Sequence, residues 1–245
     1  MKIFVMGATG STGRYLVIQL LNRGIEVKAV VRSGEKLKNI LALENTDGLE
    51  IIEGEVINMR GNELQIMLSD CDAAASCLGH NLTFKGMFAN PRYLVRDSVR
   101  HVCETTLKQI REDYGPFKFV LMNTSANRNP DEQEGRNIGE ILLFGLIRLL
   151  LPPHRDNEQA AEYLRCEVGR DNPRIEWAAI RPDNLIDKGF VTGYEIHPSP
   201  VRSPLFNPGK TSRINVAAFM ARLLEDERAW SKWKGRMPVI YNEEA

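Results

Sequence analysis

The chain has 245 residues and carries 32 Lys+Arg against 32 Asp+Glu, a formal net charge of +0. At about 150 residues per domain that is one large domain or two small ones, and 43% apolar residues can fill a core without disulfides or metals. Balanced charge argues against a protein built to coat nucleic acid or acidic membrane, and no stretch reaches the ~18 uninterrupted apolar residues of a membrane span.

Lys2 to Met6 is a short apolar run of strand formers that ends at Gly7. A helical pattern follows from Arg14 to Leu21 and stops at Asn22-Arg23-Gly24, where glycine suits the left-handed end position. Glu26 to Val31 reads as the second strand, Leu49 to Ile52 as the third and Ala73 to Leu78 as the fourth. Tyr93 to Gln109 is a long amphipathic helix, Phe117 to Met122 the fifth strand, Asp156 to Val168 a helix, and Ile175 to Ile180 the sixth strand. Ala217 to Leu224 predicts a late helix, and Met237 to Tyr241 a short closing strand.

Strand and helix alternate, which predicts an α/β fold with a parallel sheet and helices on both faces. A seventh strand is expected near Val239. The expectation is a single domain over residues 1–245, with residues 186–245 forming a small substrate-side part. The apolar segment 138–151, stopped by Pro152-Pro153, reads as a buried or interface helix and is the candidate surface for a homodimer. The loop holding Phe84, Met87 and Phe88 and the proline-rich stretch from Gly189 to Lys210 are candidate walls of a substrate pocket.

The four cysteines, Cys71, Cys77, Cys103 and Cys166, show no C-x-x-C spacing and no zinc pattern with the four histidines, so no metal site is expected. Free thiols point to a reducing compartment. The chain opens directly into a strand without a signal-like run, and a cytoplasmic protein is the expectation.

The strong motif is Gly7-x-x-Gly10-x-x-Gly13, placed after the first strand and opening a helix. Gly7 allows the tight turn, Gly10 lets a pyrophosphate approach the backbone, and Gly13 lets the helix pack on the sheet. The helix N-terminus offers N–H groups and a positive dipole end to phosphate. Thr9, Ser11 and Thr12 add hydroxyl donors. The second strand ends in Arg32-Ser33, where an NAD enzyme usually carries an acid for the ribose 2′-hydroxyl. Arg32, with Arg14 beside it, favours a 2′-phosphate and hence NADP over NAD.

These features, together with Gly54-Glu55-Val56, Leu78-Gly79, Asn123-Thr124-Ser125 and Arg181-Pro182-Asp183-Asn184, resemble the atypical short-chain dehydrogenase/reductase superfamily. Within it the chain is most similar to the small NAD(P)H-binding group that includes biliverdin-IXβ/flavin reductases and NmrA-like regulators. The resemblance implies a Rossmann fold with a doubly wound sheet of order 3-2-1-4-5-6, Glu55 and Val56 at the adenine, and Cys77, Leu78 and Gly79 along the ribose side. It also implies that Asn123 belongs to the cofactor site, that Ser125 faces the nicotinamide, and that Pro182 and Asn184 lie near the carboxamide. Ser125 reads equally as a strand-end hydroxyl serving a local backbone group.

The superfamily's Tyr-x-x-x-Lys pair has no counterpart. Tyr114 and Lys118 have the spacing, but Gly115-Pro116 separates them and they precede strand five. Aligned on Glu162, the expected helix holds His154 and Glu158 at the Tyr and Lys positions. His154 and Asp156 are therefore the candidate substitute acids, and each reads alternatively as an ordinary first-turn residue. Three functions compete: an NADPH-dependent oxidoreductase acting on a flavin, quinone or similar small-molecule acceptor; a non-enzymatic NADP(H) sensor of the NmrA-like kind; and a sugar or steroid dehydrogenase using His154 or Asp156. The first needs least from the protein, because such an acceptor takes its proton from water once it is held near the nicotinamide.

Overall fold

The computed structural model describes residues 1–80, 91–109, 115–132, 134–135, 139–140, 143–146 and 151–243. Strands β1 (Lys2–Met6), β2 (Glu26–Val31), β3 (Leu49–Glu53), β4 (Ala73–Ser76), β5 (Phe117–Met122) and β6 (Ile175–Pro182) form a parallel sheet in the order 3-2-1-4-5-6, as expected. β10 (Val239–Asn242) adds to β6 in parallel, and β8 (Tyr194–His197) pairs antiparallel with β10 at the far edge. A second small sheet joins β7 (Asn184–Ile186) to β9 (Lys210–Ser212).

Period-two alternation in β1 shows why helices cover both faces. Ile3 and Val5 point into one apolar layer, shared with α1 (Gly13–Leu21), α6 (Arg213–Glu225) and α7 (Glu227–Trp233). Phe4 and Met6 point into the other, shared with α3 (Gly61–Leu68), α4 (Leu94–Lys108) and α5 (Pro152–Glu162). All four side chains are buried, the signature of a strand with no solvent face. Within residues 186–245, α6 packs on α1 and β10 completes the sheet, while residues 187–209 lie outside the main layers apart from β8.

Several elements differ from expectation. α2 (Gly34–Leu41) and α3 were not foreseen, because each is a single eight-residue amphipathic turn set whose stability comes from docking on the sheet. The 189–210 stretch is not all loop: β8 lies inside it, and its partner is more than forty residues away. The helix expected from Asp156 starts four residues earlier. Pro152-Pro153 open it instead of only ending the segment before, since proline at the first helical position loses no needed N–H. From Tyr163 to Val168 it widens into a π-helix. Of the apolar segment 138–151, residues 139–140 and 143–146 are helical, with Phe144 buried and Leu146 exposed; the remainder up to 150 lies outside the described residues. Phe84, Met87, Phe88 and Tyr114 also lie outside them.

Candidate active site

The C-terminal ends of β1, β4, β5 and β6 meet at one edge of the sheet, and most of the motif residues gather there. Gly7 has φ +77°, and a Cβ on it would stand 2.6 Å from the Cys77 carbonyl carbon. A Cβ on Gly13 would stand 2.8 Å from the Gly7 carbonyl carbon. Both positions therefore require glycine, one for strand-to-strand and one for helix-to-turn approach. The Gly10 amide donates to the Gly7 carbonyl oxygen across 2.9 Å, closing the turn.

α1 begins at this turn. Its N-cap Thr12 makes no side-chain capping bond, and its first turn holds no acid. α2 and α7 behave otherwise: Ser33 Oγ accepts from the Lys36 amide, and Asp226 accepts from the Arg228 and Ala229 amides. The uncapped end of α1 is the arrangement an anion completes. Thr9 and Gly10 are half-buried beside it and Ser11 is exposed.

Arg14 lies one residue beyond. Its guanidinium packs 4.8 Å over the Tyr15 ring and donates to the Tyr15 hydroxyl, while its Nε is buried without a partner. Arg32 is 74% exposed in its side chain, with Nε 3.9 Å from Glu55 Oε1. Ser33 is occupied as the cap of α2, and Glu53 Oε1 accepts from the Gly34 amide at 2.6 Å. Glu55 also accepts from Asn58 Nδ2, and Val56 is buried at the start of a 3₁₀ turn. An orphaned guanidinium nitrogen, a mobile-length cation at the end of β2 and a cradle that a Cβ would fill fit a dinucleotide phosphate group.

On the β4 side, Cys77 contributes backbone. Its thiol packs 3.8 Å from Met220 Sδ, and burial pushes it up to about 12, so it carries no thiolate chemistry. Leu78 is half-buried, and a Cβ on Gly79 would meet nothing within 4 Å.

On the β5–β6 side the polar residues hold one another. Asn123 Nδ2 donates to the Asn157 carbonyl oxygen, and its Oδ1 accepts from the Thr124 amide. Ser125 is 2% exposed, and its hydroxyl donates to Asp183 Oδ1 across 3.0 Å. Its amide donates to the Pro182 carbonyl oxygen. Asp183 also accepts from the Gly209 amide; burial pushes its carboxyl up, opposed by those hydrogen bonds. Asn184 is exposed on β7.

His154 and Asp156 stand two residues apart on α5 but face different surroundings. The His154 ring stacks on Phe144, with Nε2 3.3 Å from Glu158 Oε1. Asp156 is fully buried and does not cap its own helix. It accepts from the Val95 and Arg96 amides at 2.8 and 2.9 Å, so it caps α4. Its Oδ2 also lies 2.7 Å from His80 Nε2. Lys118 sits at the opposite end of the sheet, beside Ala73 at the start of β4 and paired with Glu227.

Sequence reasoning missed His80, Asp183 and the buried Arg181–Glu134 pair. Each depends on a partner 47 or more residues away, and no local spacing announces it.

Similarity to known proteins agrees with this geometry. An uncharacterised chloroplastic protein of Arabidopsis thaliana is 37% identical over 192 residues, which are 75% of this chain and 59% of that protein. The chain thus spans less than two thirds of the curated relative it matches. The solved structure of a Lactobacillus casei protein superposes over 100% of both chains with a TM-score of 0.73 at 22% identity. A Streptococcus pneumoniae structure, titled as a candidate NADH-flavin reductase, superposes with a TM-score of 0.68 at 17% identity, covering 99% of this chain and 100% of that one. At these identities the structures show the shared fold. The family model for NAD(P)H-binding proteins matches residues 7–227, and with the glycine turn and bare helix end in place the chain belongs to that NAD(P)H-binding family.

Proposed function

We propose that the protein is an NADPH-dependent oxidoreductase that passes hydride to a flavin, quinone or similar conjugated acceptor. The observation that carries this reading is the pairing of a glycine-shaped dinucleotide cradle with a helix that lacks the superfamily's Tyr and Lys. Gly7, Gly10 and Gly13 shape the cradle, and α1 presents an end with no side-chain cap and no acid in its first turn. His154 and Glu158 occupy the helix positions at which the superfamily's Tyr and Lys are expected.

The bound cofactor would supply the hydride. The chain would hold the pyrophosphate at Gly10 to Gly13 with Thr9, Ser11 and Thr12 nearby, and the 2′-phosphate between Arg14 and Arg32. Glu55 and Val56 would flank the adenine, and Leu78 and Gly79 the ribose. Pro182 and Asn184 would lie toward the carboxamide. Ser125 and Asn123 would act through the frame they lock, since both side chains are engaged with protein groups. Residues 187–209 would wall the acceptor. Cys71, Cys77, Cys103 and Cys166 are not joined in disulfides among the described residues, which favours a reducing compartment such as the cytoplasm. Among the described residues no helix is long and apolar enough to cross a membrane.

The test is NADPH oxidation by the purified protein with a panel of flavins and quinones, followed by absorbance and alongside NADPH binding. Turnover that vanishes in Gly10→Asp, whose carboxylate would occupy the phosphate cradle, supports the reading. Tight binding with no turnover on any acceptor sinks it and favours an NADP(H) sensor.

A further inference from the structure

His80 and Asp156 form a buried pair just beyond the C-terminal end of β4, with side chains 4% and 0% exposed. His80 follows Cys77-Leu78-Gly79, and the Cys77–Leu78 backbone touches Gly7 of the cofactor turn. A Cβ on Gly79, beside it, would meet none of the described residues within 4 Å. Asp156 comes from α5, between His154 and Glu158.

The partners of Asp156 fix the imidazole's orientation. Oδ1 accepts from the Arg96 amide, and Oδ2 accepts from the Val95 amide and meets His80 Nε2 at 2.7 Å. Both Asp156 oxygens accept from backbone amides at the start of α4, so the carboxylate serves as an acceptor and Nε2 as the donor to it. In the neutral ring Nδ1 is then the acceptor, the nitrogen able to take up and release a proton. An acid behind an imidazole, fixing its tautomer and stabilising its cation, is the device by which enzymes orient a histidine for proton transfer. Arg96 does not compete for the pair, since its guanidinium is engaged with Asp97 and Gln159.

We propose that His80 is the proton donor to the reduced acceptor, and that Asp156 is its positioning residue. This deepens, and rests on, the reductase reading above. The acceptor gains a hydride with its electron pair, and negative charge develops on its oxygen or nitrogen. That atom forms a bond to the proton on His80 Nδ1 as the Nδ1–H bond breaks, leaving the neutral ring. The ring is reprotonated from water, so each turnover consumes one NADPH and one proton. The acceptor class favoured is a carbonyl-bearing one, a quinone or conjugated ketone, whose oxygen needs an acid more than a flavin does.

Two measurements on the full chain test it. The first is nitrogen-15 NMR of the histidine rings, assigned with His80→Gln. His80 should show the Nε2–H tautomer, and an Nδ1–H tautomer overturns the proposal without any assay of turnover. The second is steady-state NADPH oxidation with a quinone and with a flavin. His80→Gln should lower kcat with the quinone about 10²-fold or more, as loss of a general acid does, with KM within about threefold and a smaller loss with the flavin. Added imidazole should restore part of the rate in His80→Gly. Unchanged kcat in His80→Gln beside an active wild type overturns the proposal alone. Silence of the wild type with every acceptor overturns the reductase reading and the proposal together.

Discussion

Arg181 and Glu134 form a two-pronged ion pair sealed inside the protein, with guanidinium–carboxylate distances of 2.6 and 3.0 Å. Arg181 is fully buried and also donates to the carbonyl oxygens of Asn127, Met237 and Pro198. One side chain thus ties the loop after β5 to the segment before β10 and to the end of β8. Removing the carboxylate leaves a buried cation with only carbonyl partners. Glu134→Ala should cost about 3–5 kcal/mol, read from urea unfolding midpoints, and a loss under about 1 kcal/mol would show that the carbonyl oxygens suffice.

A second charge cluster ties the opposite end of the sheet. Asp70 lies 2.8 Å from Lys2 Nζ and 2.5 Å from the buried Lys28 Nζ. Partial burial raises the Asp70 carboxyl, but hydrogen bonds from Lys2 and Lys28 outweigh it and hold the group down at about 2, against an ordinary 3.8. A depressed folded value means that the stabilisation is present above about pH 4 and is lost as pH falls through 2. Asp70→Asn should therefore lower Tm at pH 7, and the gap to wild type should close as the pH is lowered from 4 to 2. Asp70 is half-exposed, so the effect at neutral pH should be modest, about 1–2 kcal/mol. A gap that widens in acid would refute this assignment.

Coenzyme choice should follow the two arginines. Arg14 has a buried Nε without a partner, and Arg32 has only a long contact to Glu55. Charged hydrogen bonds to phosphate are worth about 1.5–3 kcal/mol. Arg14→Ala and Arg32→Ala should each weaken NADPH binding about 10-fold or more while leaving NADH affinity within about threefold. Equal losses for both cofactors in calorimetry would move the arginines away from the 2′-phosphate.

Thiol reactivity should separate by burial. Burial pushes Cys71 and Cys77 up to about 12 and raises Cys103 further. Cys166 is exposed and raised chiefly by its hydrogen bond with Glu162. Iodoacetamide at pH 8 should label Cys166 alone in the folded protein, as read by peptide mass spectrometry, and only after denaturation the other three. Labelling of native Cys77 would mean that the β4 end is looser than its packing on Met220 implies.

How far the sequence reaches is clearest at α5. Its local pattern announced a helix near Asp156 and offered Asp156 as a first-turn acid. Local pattern cannot show that this carboxylate turns away from its own helix to cap α4, 60 residues earlier in the chain, or that His80 waits beside it. Ser125 shows the same limit: its place at the end of β5 was legible, while its bond to Asp183 was not.

What the sequence determined by itself was periodic and local: the alternation of strand and helix, the glycine turn, and a first turn of α1 without an acid. Those features follow from steric rules that act over a few residues, such as the positive φ of Gly7 and the absence of an acid in the first turn of α1. Tertiary structure alone decided which polar groups are paired with one another to hold the frame. Hydrogen bonds over separations of 47 to 76 residues set that pairing, and buried donors and acceptors must find partners wherever the packed chain brings them.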